Sequence, residues 1–404
     1  MVSWASFCCA ILLAQVSLAH GQTHKHETKP KKRAALQFGM STALTGPNAG
    51  LGLEMRRGIL SAFAEKNAAG GVQTLPLELI ALDDGYEPIE TGPNVRRLIE
   101  VDQVLAIIGN VGTPTAIVAA PIAQRSKTPF IGALTGAGVL RKTPPDRYVI
   151  NFRASYAEET SAMVDALVQS GVKPAEIAFV TQRDGYGDAG FAGGTSALVR
   201  YGVDGAGAIA HGRYERNTMA VEGALADLIL HRPVPKAIIL VGAYAPCAKL
   251  IRLSQECGFD PLFLNVSFVG SNLLAEALEG QVDGVIVSQI VPHVDKQLPI
   301  NKGHRAALAL IEADPEPPTQ ISLEGYVVGR MLILALERID GEITRDAIVD
   351  ACESLGEFDL GLGVPLQLSS EEHQASHAVW ATQIEGTEVA PIEWSNVLRQ
   401  EERP

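Results

Sequence analysis

The chain has 404 residues, 47% hydrophobic, 20% charged and 5% aromatic, with a formal net charge of −13. At roughly 150 residues per domain this predicts two or three domains, and ordinary glycine and proline usage excludes disordered and collagen-like chains. The acidic balance argues against nucleic acid as a partner, because phosphate binding needs a basic surface.

Residues 2 to 19 carry no charged side chain, and Phe7 to Ala14 form an apolar run ahead of Ser17-Leu18-Ala19. This predicts a signal peptide over residues 1–19 and hence a periplasmic location, although a basic n-region is missing. The run is shorter than the roughly 20 residues that span a bilayer. Residues 20–35 read as a flexible basic leader, with His24 and His26 in a solvated tail. Beyond the signal, Cys247, Cys257 and Cys352 show no zinc spacing. They read as small buried hydrophobes, and one disulfide stays open as an alternative.

From Leu36 onward, strand and helix patterns alternate. Leu36 to Met40 alternates apolar and polar residues. A turn cluster follows from Leu44 to Gly50, and then Leu53, Met55, Ile59, Ala62 and Phe63 recur at helical spacing until Gly70-Gly71. Strands are predicted at Leu77–Leu82, Val104–Gly109 and Pro129–Leu134, with helices between them, including one from about Pro114 to Gln124. A second series has strands at Ile177–Val180, Ala237–Gly242, Leu262–Leu264 and Val285–Ser288. Near-continuous apolar strands alternating with helices imply parallel sheets covered on both faces. The class is therefore α/β, with two Rossmann-like lobes. Helices are predicted over Ser322–Arg338 and Arg345–Ser354, with short strands near Val364–Leu366 and Ala378–Trp380.

In open parallel sheets, ligands sit beyond the C-terminal strand ends. Those loops hold Asn110-Val111-Gly112-Thr113 and Thr135-Gly136-Ala137-Gly138. Glycine lets the backbone approach a ligand, and helix N-terminal amides with a threonine hydroxyl suit a carboxylate. Simple N-capping by Thr113 and Thr135 is the competing explanation. Tyr156, Tyr186 and Tyr244 stand at corresponding places in the second series, each offering a ring face and a hydroxyl. Enzyme motifs are missing: there is no Walker loop, no G-x-S-x-G and no H-E-x-x-H. His373 and His377 have metal-like spacing but read as surface residues, and no cofactor is predicted. Asp83-Asp84 at a strand end fits capping and turn formation.

The order of Leu44-Thr45-Gly46-Pro47, Gly70-Gly71-Val72, Asp83-Asp84-Gly85-Tyr86-Glu87-Pro88, Gly109 to Thr115, Tyr186-Gly187 and Asn265 to Ser271 resembles the type I periplasmic binding proteins. The branch it resembles takes branched-chain amino acids and amides and feeds ABC importers. The resemblance implies two lobes joined by three crossovers and closing over a small ligand. It divides the chain into residues 36–152 with 290–362, and residues 153–289 with 363–404. Crossovers would fall at Asn151–Arg153, Ser288–Pro292 and Leu360–Pro365. It implies that Thr113 and Thr135, with Gly112 and Gly136, hold a carboxylate, and that Tyr186 and Tyr244 close over the ligand. Two positions depart from the pattern. Ser267 stands where amino-acid binders place a glutamate for the ammonium, and Leu51 where a tryptophan is common. Without a carboxylate a desolvated cation lacks its partner, which favours carboxylate or amide ligands. The implied partners are the small ligand and an ABC permease with its ATPase, for a monomer. A sensory module with a separate membrane partner is the second reading, and an enzyme on an α/β scaffold the third.

Overall fold

The computed structural model describes residues 34–397. The predicted signal peptide and nearly all of the leader therefore lie outside the described residues. The first sheet is built from β1 (Leu36–Thr42), β2 (Leu77–Asp83), β3 (Ile107–Ile108), β4 (Phe130–Ile131) and β5 (Val149–Ile150), all parallel in the order β2-β1-β3-β4-β5. Helices α1 (Ala49–Ala68), α2 (Pro88–Glu100) and α3 (Thr113–Arg125) connect its strands. β2 is half-exposed along most of its length, as suits an edge strand, whereas β3 and β4 are fully buried.

After β5 the chain crosses to α4 (Tyr156–Gln169), which packs on α5 (Gly185–Arg200). The second sheet takes β6 (Ile177–Gln182), β7 (His211–Tyr214), β8 (Ala237–Val241), β9 (Leu262–Asn265) and β10 (Val285–Gln289) in parallel. Helices α6 (Glu222–Leu230), α7 (Tyr244–Glu256) and α8 (Ser271–Leu278) lie between its strands. Every residue of β8, Ala-Ile-Ile-Leu-Val, is buried, because helices cover both faces of a parallel sheet.

The chain then returns through α9 (Pro299–Leu308), α10 (Gln320–Glu337) and α11 (Arg345–Glu353). α9 and α10 pack on α1, which belongs with the first sheet. A hairpin of β11 (Gly356–Phe358) and β12 (Leu366–Leu368) follows, and β13 (Trp380–Glu385) and β14 (Glu388–Ile392) extend the second sheet antiparallel from β10. The full order of that sheet is β14-β13-β10-β9-β8-β6-β7. The stretch expected to hold the third crossover, Leu360–Pro365, is thus the hairpin connection. Its loop docks on α9, where the Ile300 amide donates to the Gly361 carbonyl at 3.3 Å. The passage toward the second sheet comes later, where residues 373–376 run beside Asn151 and Phe152. Asn151 N–H donates to His373 O at 2.7 Å, and Ser376 N–H to Phe152 O at 2.8 Å.

Two sequence readings need correction here. His373 is buried between the Val149 carbonyl, 2.8 Å from Nδ1, and the Glu353 carboxylate, because it sits between the crossing segments rather than on the surface. Cys257 is exposed just after α7, while Cys247 and Cys352 are buried and all three thiols are free.

His304 on α9 is buried and stacks on Tyr326 at 5.1 Å between ring centroids. Burial, with Arg57 and Arg305 nearby, pulls its pKa down to about 3. The unfolded chain takes up a proton near pH 6.5 that the folded state refuses until about pH 3. Stability contributed by His304 is therefore complete above pH 6.5 and is lost as pH falls through that window, by up to about 1.4 kcal/mol per pH unit. Urea unfolding of wild type and His304→Phe between pH 7 and pH 5 checks this: the variant is expected to show the shallower acid slope, and equal slopes would refute it.

Candidate functional site

The strand-end loops of the two sheets meet. On the first side, Gly112 sits at φ +93° as the cap of α3, a conformation that favours glycine. A Cβ there would stand 2.1 Å from the Tyr86 ring. Thr113 is consequently the first helical residue rather than the N-cap, and its hydroxyl is free to meet Thr135 at 2.6 Å. Both are fully buried. The first-turn amides of α3 lack intrahelical partners, as at any helix start, although Pro114 removes one donor. Thr135 is not a cap of α3 or α4 either: its hydroxyl accepts from the Ala137 amide at 3.2 Å and shapes the loop. Asp83 and Asp84 build the neighbouring turn. Asp83 accepts from the Leu44 and Gly85 amides at 2.8 and 3.0 Å, and Asp84 from the hydroxyls of Ser41 and Thr91 at 2.8 and 3.0 Å.

On the second side, α4 begins with a capping box. The Ser155 amide donates to Glu158 Oε2 at 2.6 Å, and the Glu158 amide donates to Ser155 Oγ at 3.2 Å. This fixes Tyr156, whose amide donates to the Gly136 carbonyl at 2.8 Å. A Cβ on Gly136 would lie 2.6 Å from that amide nitrogen, so the residue gives the chain room. Four rings fill the meeting place. Tyr156 packs on Tyr186 at 5.3 Å, Tyr186 on Phe268 at 4.6 Å, and Phe268 on Tyr86 of the opposite side at 6.0 Å. Burial pushes the hydroxyls of Tyr86 and Tyr186 well above the usual range and that of Tyr156 up to about 12, so all three stay neutral donors. Tyr156 Oη is buried beside the Thr135 hydroxyl.

Below the rings lies a charged group. Arg153, fully buried, donates to the Ser267 hydroxyl. Its guanidinium is 3.6 Å from Glu159 Oε1 and 3.7 Å from Glu324 Oε1, and 5.9 Å from the Tyr156 ring centre. Burial opposes the Arg153 charge, but Glu324 and Glu159 outweigh it and hold the pKa above the usual range. Burial pushes Glu324 up to about 7; Arg153 pulls the other way and Glu159 adds to the rise. Arg141 ties the loops together, with Nη1 donating to the carbonyls of Thr135 and Ala137 at 3.2 and 3.0 Å and Nη2 to that of Arg153 at 2.9 Å.

The structure thus brings Gly112, Thr113, Thr135, Gly136, Tyr156, Tyr186 and Ser267 into one buried cluster. Tyr244 stands apart at the first turn of α7, half-buried, with its hydroxyl turned to the backbone of Gly50. Leu51 is buried in the core, facing the Gly270 turn. Sequence reading missed Tyr86, Phe268, Arg153, Glu159 and Glu324 as site residues. A signal existed for Glu324: it is the carboxylate inside a helix buried around most of its circumference, whose other acid, Glu337, stands at the exposed C-terminal end. Glu159 was masked by its neighbour Glu158, since two glutamates in a first turn read as capping and dipole compensation.

The family model described as periplasmic binding protein matches residues 35–388. A solved structure described as a possible leucine/isoleucine/valine-binding protein from Rhodopirellula baltica SH 1 is 51% identical. It covers 92% of this chain and 100% of its own, with a TM-score of 0.88. Leu/Ile/Val-binding protein homolog 7 of Brucella abortus (strain 2308) is 23% identical over 364 residues, covering 85% of this chain and 88% of that protein. A solute-binding protein of an ABC transporter from R. palustris, solved with benzoate, shares the fold at a TM-score of 0.75 and 18% identity. Two sheets meeting over a buried polar and aromatic cluster, and a family match that spans both, agree: the chain belongs to the type I periplasmic binding proteins, an extracytoplasmic family of ligand-binding rather than catalytic proteins.

Proposed function

We propose that this protein captures a small carboxylate, amide or amino acid between its two lobes in the periplasm and delivers it to the permease and ATPase of an ABC importer. One lobe comprises residues 36–152 and 290–362. The other comprises residues 153–289 and 377–397. The single observation carrying the reading is the buried Thr113–Thr135 hydroxyl pair at the start of α3, with Tyr156 of the opposite lobe beside Thr135 and packed on Tyr186. Hydroxyls and helix-start amides suit a carboxylate, and aromatic rings supply the apolar cover. Ligand drives closure only so far as it binds the closed form better than the open one. The leader and signal expected over residues 1–35 fit export, and a monomer fits this mode of delivery.

A thermal-shift panel of amino acids, short amides and aliphatic and aromatic carboxylates tests the reading. A ligand at 100 times its Kd stabilises by about 2.7 kcal/mol. A rise with one of these classes supports it, and a flat response across all of them would reject this ligand range.

A polar latch spans the cleft mouth. Arg216, after β7, donates to the Tyr86 carbonyl at 2.9 Å and to Glu87 at 2.8 Å, while Asn217 links Glu87 at 2.6 Å to Asn48 at 2.7 Å. A half-exposed pair of this kind contributes roughly 0.5–1 kcal/mol. Arg216→Ala is expected to weaken binding of the panel's best ligand about threefold and to enlarge the ligand-free protein in small-angle scattering. A latch irrelevant to closure would leave both unchanged.

A further inference from the structure

We propose that a cavity of about 730 Å³ at the crossing side of the molecule, separate from the ligand cleft, is a second binding site. It takes a small aliphatic polyamine, and its occupation favours closure of the lobes. The coupling to closure rests on the reading of the chain as a two-lobe capture protein; the site itself does not.

Three parts of the chain build the cavity. The loop after β4, Gly138 to Pro145, comes from the first lobe, and the first turn of α4 with one face of α5 comes from the second. Residues 371–377, the passage between the sheets, form the third wall. Of the cleft cluster only Gly136 borders it; Thr113, Thr135, Tyr156 and Tyr186 do not. The cavity lies at the β4–β5 edge of the first sheet, whereas the Arg216–Glu87 latch follows β2 at the other edge. An occupant would therefore hold the lobes together on the side opposite the latch. Ala157, Ala189, Ala192 and Gly193 give an apolar floor. A Cβ on Gly193 would stand 2.7 Å from Ala157 Cα, so α4 and α5 touch beneath it.

The polar groups of the walls are acceptors without donors. Asn151 lines the cavity at 2% exposure, and its Oδ1 is buried with no hydrogen-bond partner. Its Nδ2 donates to the Leu140 carbonyl at 2.8 Å, which fixes the amide and leaves the oxygen as the open atom. Its backbone carbonyl is already taken by the Ala375 amide at 2.9 Å. A buried acceptor of this kind is normally paired. The cations of the walls are spent. Arg141 Nε donates to Gln374 Oε1 at 2.6 Å, its other nitrogens serve the three loop carbonyls, and Lys142 pairs with Asp146 at 2.7 Å. An anion would find no free donor there.

Charge points the same way. Glu158, Glu371, Glu372 and Asp188 line the cavity against Arg141 and Lys142, an excess of two negative charges with the histidines counted neutral. Ion partners behind the walls do not cancel it. Asp146 sits on Lys142 and Arg213 on Asp188, Arg147 matches the Glu353 beside His373, and Arg153 faces two glutamates. One ammonium would donate to Asn151 Oδ1, a second would meet the rim carboxylates, and the methylenes between them would lie on the alanine floor. Charge-assisted bonds of this type are the stronger ones.

The test uses the intact protein with putrescine and spermidine as probes, 1,4-butanediol as the uncharged match, and magnesium chloride at equal ionic strength as the control for general screening. A saturable rise in melting temperature is expected with an amine and not with the diol or magnesium. Glu371→Gln with Glu372→Gln is expected to weaken the amine at least about fivefold. Glu256→Gln with Asp260→Asn, at the far end of α7, changes the net charge equally and is expected to leave amine binding unaltered. No response to either amine, an equal response to magnesium, or equal weakening in the two double variants would overturn the site. Saturating amine is expected to tighten the cleft panel's best ligand about threefold, and by reciprocity that ligand should tighten the amine. An unaltered cleft affinity would overturn the coupling. If the panel yields no cleft ligand, the capture reading fails by itself, and the comparison of the two double variants still decides the amine site.

Discussion

Replacing Thr113 by alanine and Thr135 by valine together is expected to weaken binding of the panel's best ligand at least about tenfold, or 1.4 kcal/mol. The two hydroxyls are 2.6 Å apart and fully buried, so one donates to the other and the second proton remains available. A ligand carboxylate or amide oxygen would take that proton, together with the first-turn amides of α3. Hydrogen bonds to a charged group contribute roughly 1.5–3 kcal/mol in a desolvated site, which exceeds the tenfold threshold. The fold should tolerate the change. The two hydroxyls leave no partner stranded on each other, and valine matches the shape of threonine, but the Ala137 amide loses its Thr135 acceptor, at a cost of about 1–3 kcal/mol. The ligand-free melting temperature is expected to fall by several degrees, through the Ala137 amide, with the double variant still folded. Calorimetry that returns an unaltered Kd, with the double variant folded, would move the ligand away from this pair.

Gly58→Ala is expected to destabilise the protein by about 3 kcal/mol. α1 and α10 cross with almost no separation. A Cβ on Gly58 would lie 1.9 Å from the Ser322 carbonyl oxygen and 2.6 Å from the Tyr326 nitrogen, and one on Gly325 would lie 2.3 Å from the Met55 carbonyl oxygen. These contacts are to helix backbone, which cannot rotate away as a side chain can, so the helices must separate. α10 buries 15 of its 18 residues, and any separation opens voids along the helix. Gly207→Ala is the control: no atom lies within 4 Å of its added Cβ, so a change within about 0.5 kcal/mol is expected. Urea midpoints compare the two. A Gly58→Ala midpoint equal to that of Gly207→Ala would refute the close crossing.

Much of the architecture was legible because it is written in local periodicity. β8, a run of five apolar residues, reads as a strand covered on both faces, and it is one. α10 begins two residues before the predicted Ser322 and ends at Glu337, because Thr319 supplies a cap that the apolar pattern does not reveal. Prediction was least accurate in the last stretch. The strand predicted near Ala378 begins at Trp380, and β14 went unnoticed beside it, since edge strands pair by backbone and need little apolar content.

The candidate site divides along the same line. Thr113 and Thr135 were legible because a strand-end rule places ligands in those loops, and each loop announces itself by glycine. Tyr186 was found by the same reasoning. Tyr244 satisfies the rule equally well yet stands outside the ring cluster, because the rule gives a loop and not the direction in which its side chain points.

What the sequence determined by itself was the alternation of strand and helix, the parallel strands of the two sheets and the loops that end them. These follow from patterns within ten or twenty residues. What only the tertiary structure decided was which distant residues share a desolvated space. Arg153 leaves a crossing segment, Glu159 lies six residues later on α4, and Glu324 is 165 residues further along on α10. Their pairing depends on how two lobes meet, and on a glycine crossing that brings α10 against α1. Electrostatic interaction depends on spatial distance and burial, and neither is encoded in sequence separation.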